Sequence, residues 1–403
     1  LPLRSIETSV CCFVLNHSRG GVVKKAFIAK HSQNCCDDAP VEGWLLNCVR
    51  KRCAGSDRRI AVFRVVLTAA LAVAMAFPAL AKEEAGKPAK GKKVIELTLG
   101  HTGNAGSIHD RTASEFAKRV NEALKGKVVV TVVGDSKLGN EAQMLEKTKS
   151  GEIAFSLPAP TLVKVDPAFA VFEMPYLVLS RDHVRKARAD LISKYFEPAA
   201  EKNGLHLLAL WENGFRHITN NVRPITTPAD LKDVKLRVSQ GSRLKNVFNS
   251  YGAKAEEFPF GQPLIDAIKA GKFDGQENPV GNIYTAKLHE VQKYLSFTGH
   301  QYGPLYLVSG KESWNKLPKS AQKTISKIAV ELQDWSMKEG EKLEKEYTEK
   351  LRETMQVNKI DSISFLIASF PIYQAYAKEV PEGKALIRLL HDRTSFASAG
   401  STW

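Results

Sequence analysis

The sequence predicts an α/β protein with two sheets, and three observations carry that prediction. Strands and helices alternate from residue 94 onward, a fresh run of strands starts near Gly214, and one helical stretch over residues 318–355 is long enough to run from one sheet to the other.

Residues 94–100 read as a strand. Residues 112–124 read as a helix, because Ala113, Phe116, Ala117, Val120 and Leu124 recur at helical spacing. A β-branched strand at 128–133, a short helix at 141–149 and a strand at 153–157 complete successive βαβ units, which imply a parallel sheet covered on both faces. Residues 205–211 and 215–219 read as two further strands, and 228–232 as a helical turn opened by Thr227. A strand at 235–238, helices at 243–250 and 264–270, and strands near 294–297 and 305–309 follow. No Gly/Ser linker divides the halves, so the chain is expected to cross between them several times. In the stretch 318–355, Ile325, Ile328, Leu332, Trp335, Leu343, Tyr347, Leu351 and Met355 form an apolar stripe over a span of about 55 Å at 1.5 Å per residue. Gly340 is the one residue in its middle expected to bend it.

The 403 residues carry 58 Lys/Arg against 43 Asp/Glu, a net +15, with 43% hydrophobic residues, which is ordinary globular composition. All six cysteines (Cys11, Cys12, Cys35, Cys36, Cys48 and Cys53) precede residue 54, so cysteine chemistry is excluded from the remainder. Between residues 58 and 81, the basic stretch RRIAVFR, an apolar run over 65–77 and a Pro-Ala-Leu-Ala end describe a secretory signal peptide cleaved after Ala81. The apolar run is short of the roughly 20 residues that span a bilayer. Residues 1–57, upstream of this signal, are expected to be a spurious or disordered N-terminal extension. Residues 82–93 (KEEAGKPAKGKK) have the composition of a flexible tether. Their Gly86-x4-Gly91-Lys92 lacks the Ser/Thr and the preceding strand of a phosphate-binding loop.

The remaining chain contains no H-E-x-x-H, no G-x-S-x-G and no G-x-G-x-x-G pattern. These absences lower the expectation of an enzyme without excluding one, and no catalytic residue, metal or cofactor is assigned. A secretion signal and interspersed acidic residues also exclude nucleic acid as a partner.

Several stretches together carry a family signature: GFRHITNNVRPI (214–225), DLKDVKLRV (230–238) and FDGQENP (273–279), with SKLGNEAQMLEKTKSGEIAFSL (136–157), FEMPYL (172–177) and YLVSGKESWNKLP (306–318). Taken in chain order, they cover most of residues 94–320 and resemble the solute-binding subunits of tripartite ATP-independent periplasmic (TRAP) transporters, the DctP family. The resemblance implies a two-lobed periplasmic binding protein fold with two mixed sheets, hinge strands and a long helix spanning both lobes. It assigns 94–212 with about 303–340 to lobe I, and 213–302 with about 341–403 to lobe II. It also implies a periplasmic location, a small organic acid as ligand, and as partners the small and large integral membrane components of the transporter. A ligand-loaded sensor for a receptor and a periplasmic α/β hydrolase are the alternatives.

One residue supports the binding reading on chemical grounds. Arg237 ends a short apolar strand, where a buried guanidinium wants an anion, and its planar fork can grip a carboxylate through two parallel hydrogen bonds. By resemblance Arg237 is the family's carboxylate-binding arginine; on the residue pattern alone, an internal pair with an Asp or Glu is the alternative. Arg216, in GFRHITN, either contacts ligand or braces the cleft. Asn278, in QENP, matches a cleft asparagine; Gln240, three residues beyond Arg237, and Phe260, an apolar wall, complete the expected site. Ala159 stands near where some family members carry an acid, which favours a simple mono- or dicarboxylate.

Overall fold

A computed structural model describes residues 93–393. The signal peptide, the extension before it, nearly all of the tether and the six cysteines lie outside the described residues.

β1 (Ile95–Gly100) sits between β2 (Val128–Val133) and β3 (Phe155–Ser156), parallel to both. α1 (Ile108–Ala123) connects β1 to β2. It is capped by the Ser107 side chain on the Asp110 N–H and buries the face that carries Ala113, Phe116, Ala117 and Val120. α2 (Glu141–Ser150) connects β2 to β3. A reciprocal Asn140–Gln143 capping box starts it and Gly151, at φ 81°, ends it. Two 3₁₀ turns (Pro160–Lys164 and Pro167–Glu173), α3 (Arg181–Leu191), a π-helical turn (Ile192–Phe196) and α4 (Glu197–Lys202) lead to β4 (Leu205–Asn220).

The second half contains β5 (Lys235–Val238), α5 (Leu244–Ser250), β6 (Lys254–Glu257), α6 (Gln262–Lys269), β7 (Gly275–Pro279) and α7 (Val280–Thr285). β8 (Tyr294–Gly310) then returns to the first half, followed by α8 (Lys311–Asn315), α9 (Lys319–Thr354), β9 (Gln356–Lys359), α10 (Ser362–Ala368), α11 (Phe370–Glu379) and α12 (Gly383–Asp392). The sheet order is β2-β1-β3-β8-β4-β7-β5-β6, with β9 on β8.

The two expected sheets are thus two halves of one continuous ladder, joined by the antiparallel pair β4 and β8. The pattern over 205–219 reads as two strands because the alternation breaks at Glu212–Gly214. There the pairing with β8 shifts register, a bulge that Gly214 accommodates at φ 121°, and the backbone runs on. β8 likewise unites the stretches 294–297 and 305–309.

α9 runs unbroken for 36 residues, about 54 Å. Ile325, Ile328 and Leu332 pack with Phe116 and Trp211 in the first lobe, whereas Leu343, Leu351 and Met355 pack with Ile283 and Leu295 in the second. Gly340 does not interrupt the helix. A Cβ there would lie 2.5 Å from Cγ of Glu212, so the glycine lets the helix press against the crossing strand. Glu212 is fully buried and accepts from Arg181 Nε (2.9 Å) and from the Tyr302 hydroxyl, while its N–H donates to Ser336 Oγ (3.1 Å). Arg181 also pairs with Glu344, so α3, β4, β8 and α9 are tied at the crossing.

The end of the chain divides between the lobes. Phe365 of α10 packs with Phe248 and Tyr251 of the second lobe. Tyr376, Val380, Leu386 and Leu390 of α11 and α12 instead join Phe169, Leu191 and Phe196 of the first. The sequence reading, with 341–403 on the second lobe, lacked this return because helical periodicity shows that a face is buried but not against what.

Histidines lowered by burial dominate the acid response of this framework. Burial lowers His101 to about 4, and it lowers His109 and His217 to about 3, with neighbouring His101 and His300, respectively, adding to the effect. The unfolded chain therefore binds protons below about pH 6.5 that the folded chain refuses, so folding stability falls as pH falls from 6.5 toward 4. Each such group costs about 1.4 kcal/mol per pH unit in that window. Burial lowers His183, His206 and His300 as well, and it raises Glu141, Glu212 and Glu173, the last to about 7, which act with the opposite sign, three groups against six. The melting temperature is expected to drop between pH 7 and 5; a flat profile across that interval contradicts this account.

Candidate functional site

Arg237 lies on β5, held between β6 and β7, and is 1% exposed. Its Nε donates to the Phe258 carbonyl (2.7 Å), Nη1 lies 3.5 Å from Ser239 Oγ, and the guanidinium stands 5.9 Å from the Phe260 ring centre. Among the described residues no carboxylate pairs with it. Burial pulls this guanidinium down to about 10, with Glu277 and Glu141 opposing the shift only in part, so it stays cationic at neutral pH.

The guanidinium lines a pocket walled by both lobes: Asn140, Glu141 and Thr161 from the first, and Arg237, Gln240 and Phe260 from the second. Glu141 opens α2, accepts from the N–H (3.3 Å) and hydroxyl of Thr161, and is raised above the usual carboxyl range by burial. It belongs to a stretch the sequence reading singled out, yet the reading passed over the residue. An acid at the first position of a helix entered from a loop was the available signal.

Arg216 is also buried, at 4% exposed, but it has a partner. Its Nε and Nη2 form a fork on the Glu277 carboxylate, with Nη2 2.8 Å from Oε1, and Nη2 lies 3.2 Å from Asn278 Oδ1. His300 Nε2 lies 3.4 Å from the same carboxylate. Burial pushes Glu277 up, but Arg216 and His300 outweigh it and hold the group at about 2. Asn278 belongs to this network, bonded to Gln276 and facing Asn282, and lines neither of the two cleft pockets. Arg216 itself borders the second, a small chamber whose lining includes Glu173, Asn213, Gln301 and Tyr306. Pro160 and Ser239 border both spaces, which makes them neighbours.

The lobes meet beside these pockets. Glu173 of the first lobe accepts from the Arg243 N–H (2.7 Å) at the start of α5, and Lys164 faces Glu257 at 3.7 Å. Glu197, Glu201 and His206 are grouped closely enough to hold a metal, but Glu201 faces Lys311 and His206 stacks on Trp314. None of the three lines either pocket. Among the described residues no helix is long and apolar enough to cross a membrane.

Residues 99–379 match the family described as bacterial extracellular solute-binding protein, family 7, the DctP family. The chain belongs to that family. This DctP-family chain is similar to the 2,3-diketo-L-gulonate-binding periplasmic protein YiaO of Escherichia coli K12, 27% identical over 304 residues that cover 73% of this chain and 91% of YiaO. It is 28% identical to the C4-dicarboxylate-binding periplasmic protein DctP of Rhodobacter capsulatus, over 66% of this chain and 77% of the relative. Among solved structures it resembles a TRAP periplasmic solute-binding protein from Polaromonas sp. JS666 bound to D-erythronate. The TM-score is 0.70 at 29% identity, covering 74% of this chain and 98% of the other. The expected fold class, the two-lobed α/β binding protein of TRAP transport, holds for the DctP-family chain.

Proposed function

We propose that this DctP-family protein is the periplasmic solute-binding subunit of a TRAP transporter, capturing an organic anion by closing its two lobes on Arg237 and handing it unaltered to the small and large membrane components. The observation that carries the reading is the Arg237 guanidinium: buried, cationic, without a carboxylate partner among the described residues, and facing a pocket with walls from both lobes. A ligand carboxylate supplies the missing countercharge through two charge-assisted hydrogen bonds, and the first-lobe wall reaches it only when the lobes close. Closure is favoured to the extent that the ligand binds the closed form more tightly than the open one.

In this reading Gln240 and Phe260 complete the second-lobe side of the anion pocket. Arg216 braces the cleft from its pairing with Glu277, and Asn278 orients Arg216. Secretion follows cleavage after Ala81. The relatives' sugar-acid and dicarboxylate ligands define the first compounds to try. Protein beginning at residue 82 is expected to melt at a higher temperature with its organic acid than without, since ligand at about a thousand times its dissociation constant adds about 4 kcal/mol of stability. Calorimetry is expected to give one site and no consumption of the acid. Turnover of the bound acid, or a screen of C3–C6 organic acids in which none moves the melting temperature, rejects the reading.

A further inference from the structure

The first lobe carries a group of metal-ligating side chains that the cleft does not use. Glu197 and Glu201 stand one turn apart on one face of α4, and the turn at Asn203 and Gly204, the latter at φ 78°, sends β4 back along that helix. Asn203 Nδ2 closes the turn on the Ala199 carbonyl (2.9 Å), and the Lys311 N–H donates to the Gly204 carbonyl (2.9 Å). Strand alternation then puts Leu205 and Leu207 into the core and His206 on the opposite face, beside the two acids. One carboxylate oxygen of each glutamate and one imidazole nitrogen all lie within 4.8 Å of one another.

These donors are available. Among the described residues, neither the Glu197 carboxylate nor either ring nitrogen of His206 has a hydrogen-bond or ion-pair partner. His206 stacks on Trp314 with ring centres 4.7 Å apart and planes 20° from parallel, which fixes the imidazole by its face and leaves the nitrogens on its edge open. Glu201 is paired only with Lys311, at 3.9 Å between two half-exposed side chains, and a pair of that kind contributes little. A tetrahedral zinc ion with bonds of about 2.0–2.2 Å needs its ligand atoms roughly 3.3 Å apart. Glu201 is exposed and Glu197 half-buried, so rotation of the two side chains can close the remaining gap. One imidazole and two carboxylates are a zinc-type donor set, whereas calcium takes about six to eight oxygens and magnesium an octahedron of them.

We infer that Glu197, Glu201 and His206 form a binding site for a divalent transition-metal ion of the zinc type, which ties the end of α4 to the start of β4. The sequence patterns miss it, because the acids are i,i+4 on a helix and the histidine follows five residues later, outside H-E-x-x-H. None of the three lines either pocket, so the inference is independent of the organic-anion reading.

The test is zinc calorimetry on the protein beginning at residue 82, which contains no cysteine to compete for the metal. One site is expected, with calcium and magnesium bound at least tenfold more weakly. Glu197→Gln and His206→Gln are each expected to weaken zinc at least tenfold, the loss that even an outer partner of a metal ligand carries. Lys311→Met removes the cation that competes for Glu201 and is expected to tighten zinc about threefold. Cobalt is expected to quench tryptophan emission as the site fills, and Trp314→Phe, which keeps a stacking ring, to remove most of that quenching while zinc still binds. Melting temperatures of the metal-free variants are expected to match the wild type, which separates lost ligation from lost folding. Zinc affinity that Glu197→Gln and His206→Gln leave unchanged places the metal elsewhere and overturns the inference. So does the absence of saturable binding at submillimolar zinc, or calcium bound as tightly as zinc. These variants are expected to bind organic acid as the wild type does, so either reading can fail while the other stands.

Discussion

Replacing Arg237 with alanine is expected to weaken organic-anion binding by two to four decades while the protein remains folded. Removing one member of a desolvated ion pair costs about 3–5 kcal/mol, because the remaining charge is left buried without a partner. In the complex that remaining charge is the ligand carboxylate. Arg237→Lys keeps the charge but loses the planar two-point grip and the face turned toward Phe260, so it is expected to recover only part of the loss. The unliganded protein supplies a sharper discriminator. Its Arg237 bears a desolvation cost that the fields of Glu277 and Glu141 offset only in part, so Arg237→Met, similar in length and without charge, is expected to leave the melting temperature of the ligand-free protein unchanged or higher. An arginine whose purpose is structural gives the reverse pattern, a lower melting temperature with unchanged affinity. Calorimetry and thermal melts on the same three variants decide between the two.

Glu277→Ala is expected to be the most damaging single change to stability among the cleft residues. It leaves the Arg216 cation buried between β4 and β7 without its carboxylate, at a cost of about 3–5 kcal/mol, a large share of the 5–15 kcal/mol that holds a typical domain together. Pairing it with Arg216→Met removes the stranded charge, so the double variant is expected to melt closer to wild type than Glu277→Ala alone. Denaturant unfolding of the four proteins in the cycle measures the coupling directly, and additive losses would show that the two side chains do not act as a pair. The carboxylate is held at about 2, below its unfolded value near 4.5. Its contribution is therefore complete above pH 4.5 and lost as pH falls from there toward 2, a lower window than that of the histidines.

The two arginines show how far a one-dimensional reading reaches. A cation within an apolar strand marks a buried charge in need of an anion, and this argument applies to both Arg216 and Arg237. Which of them finds its anion inside the protein depends on what the neighbouring strand brings. β7 sets Pro279 opposite Arg216, with Glu277 within reach of its guanidinium, whereas Arg237 meets a carbonyl and a hydroxyl. Glu173 was open to the same reasoning, as an acid in a run where Ala168, Phe169, Ala170, Val171 and Phe172 are all buried. Applied there, the rule that drew attention to Arg237 would have found the second chamber's acid. Gln301 and Tyr306 sent no such signal, because an alternating strand does not say which neighbour its polar residues face.

Local chemistry along the chain was enough to determine the α/β class, the βαβ units of the first lobe and the long helix, since propensity, capping and hydrophobic spacing act over a few residues. The tertiary structure alone decided that one ladder continues through both lobes and that the last helices fold back on the first. It also decided that Gly340 makes room for Glu212 instead of bending a helix, and that Glu141, Glu173 and Tyr306 gather around the cleft. Those outcomes depend on contacts between residues tens to hundreds of positions apart, and the energy of such a contact is set by which partner arrives, a quantity absent from any local window of sequence.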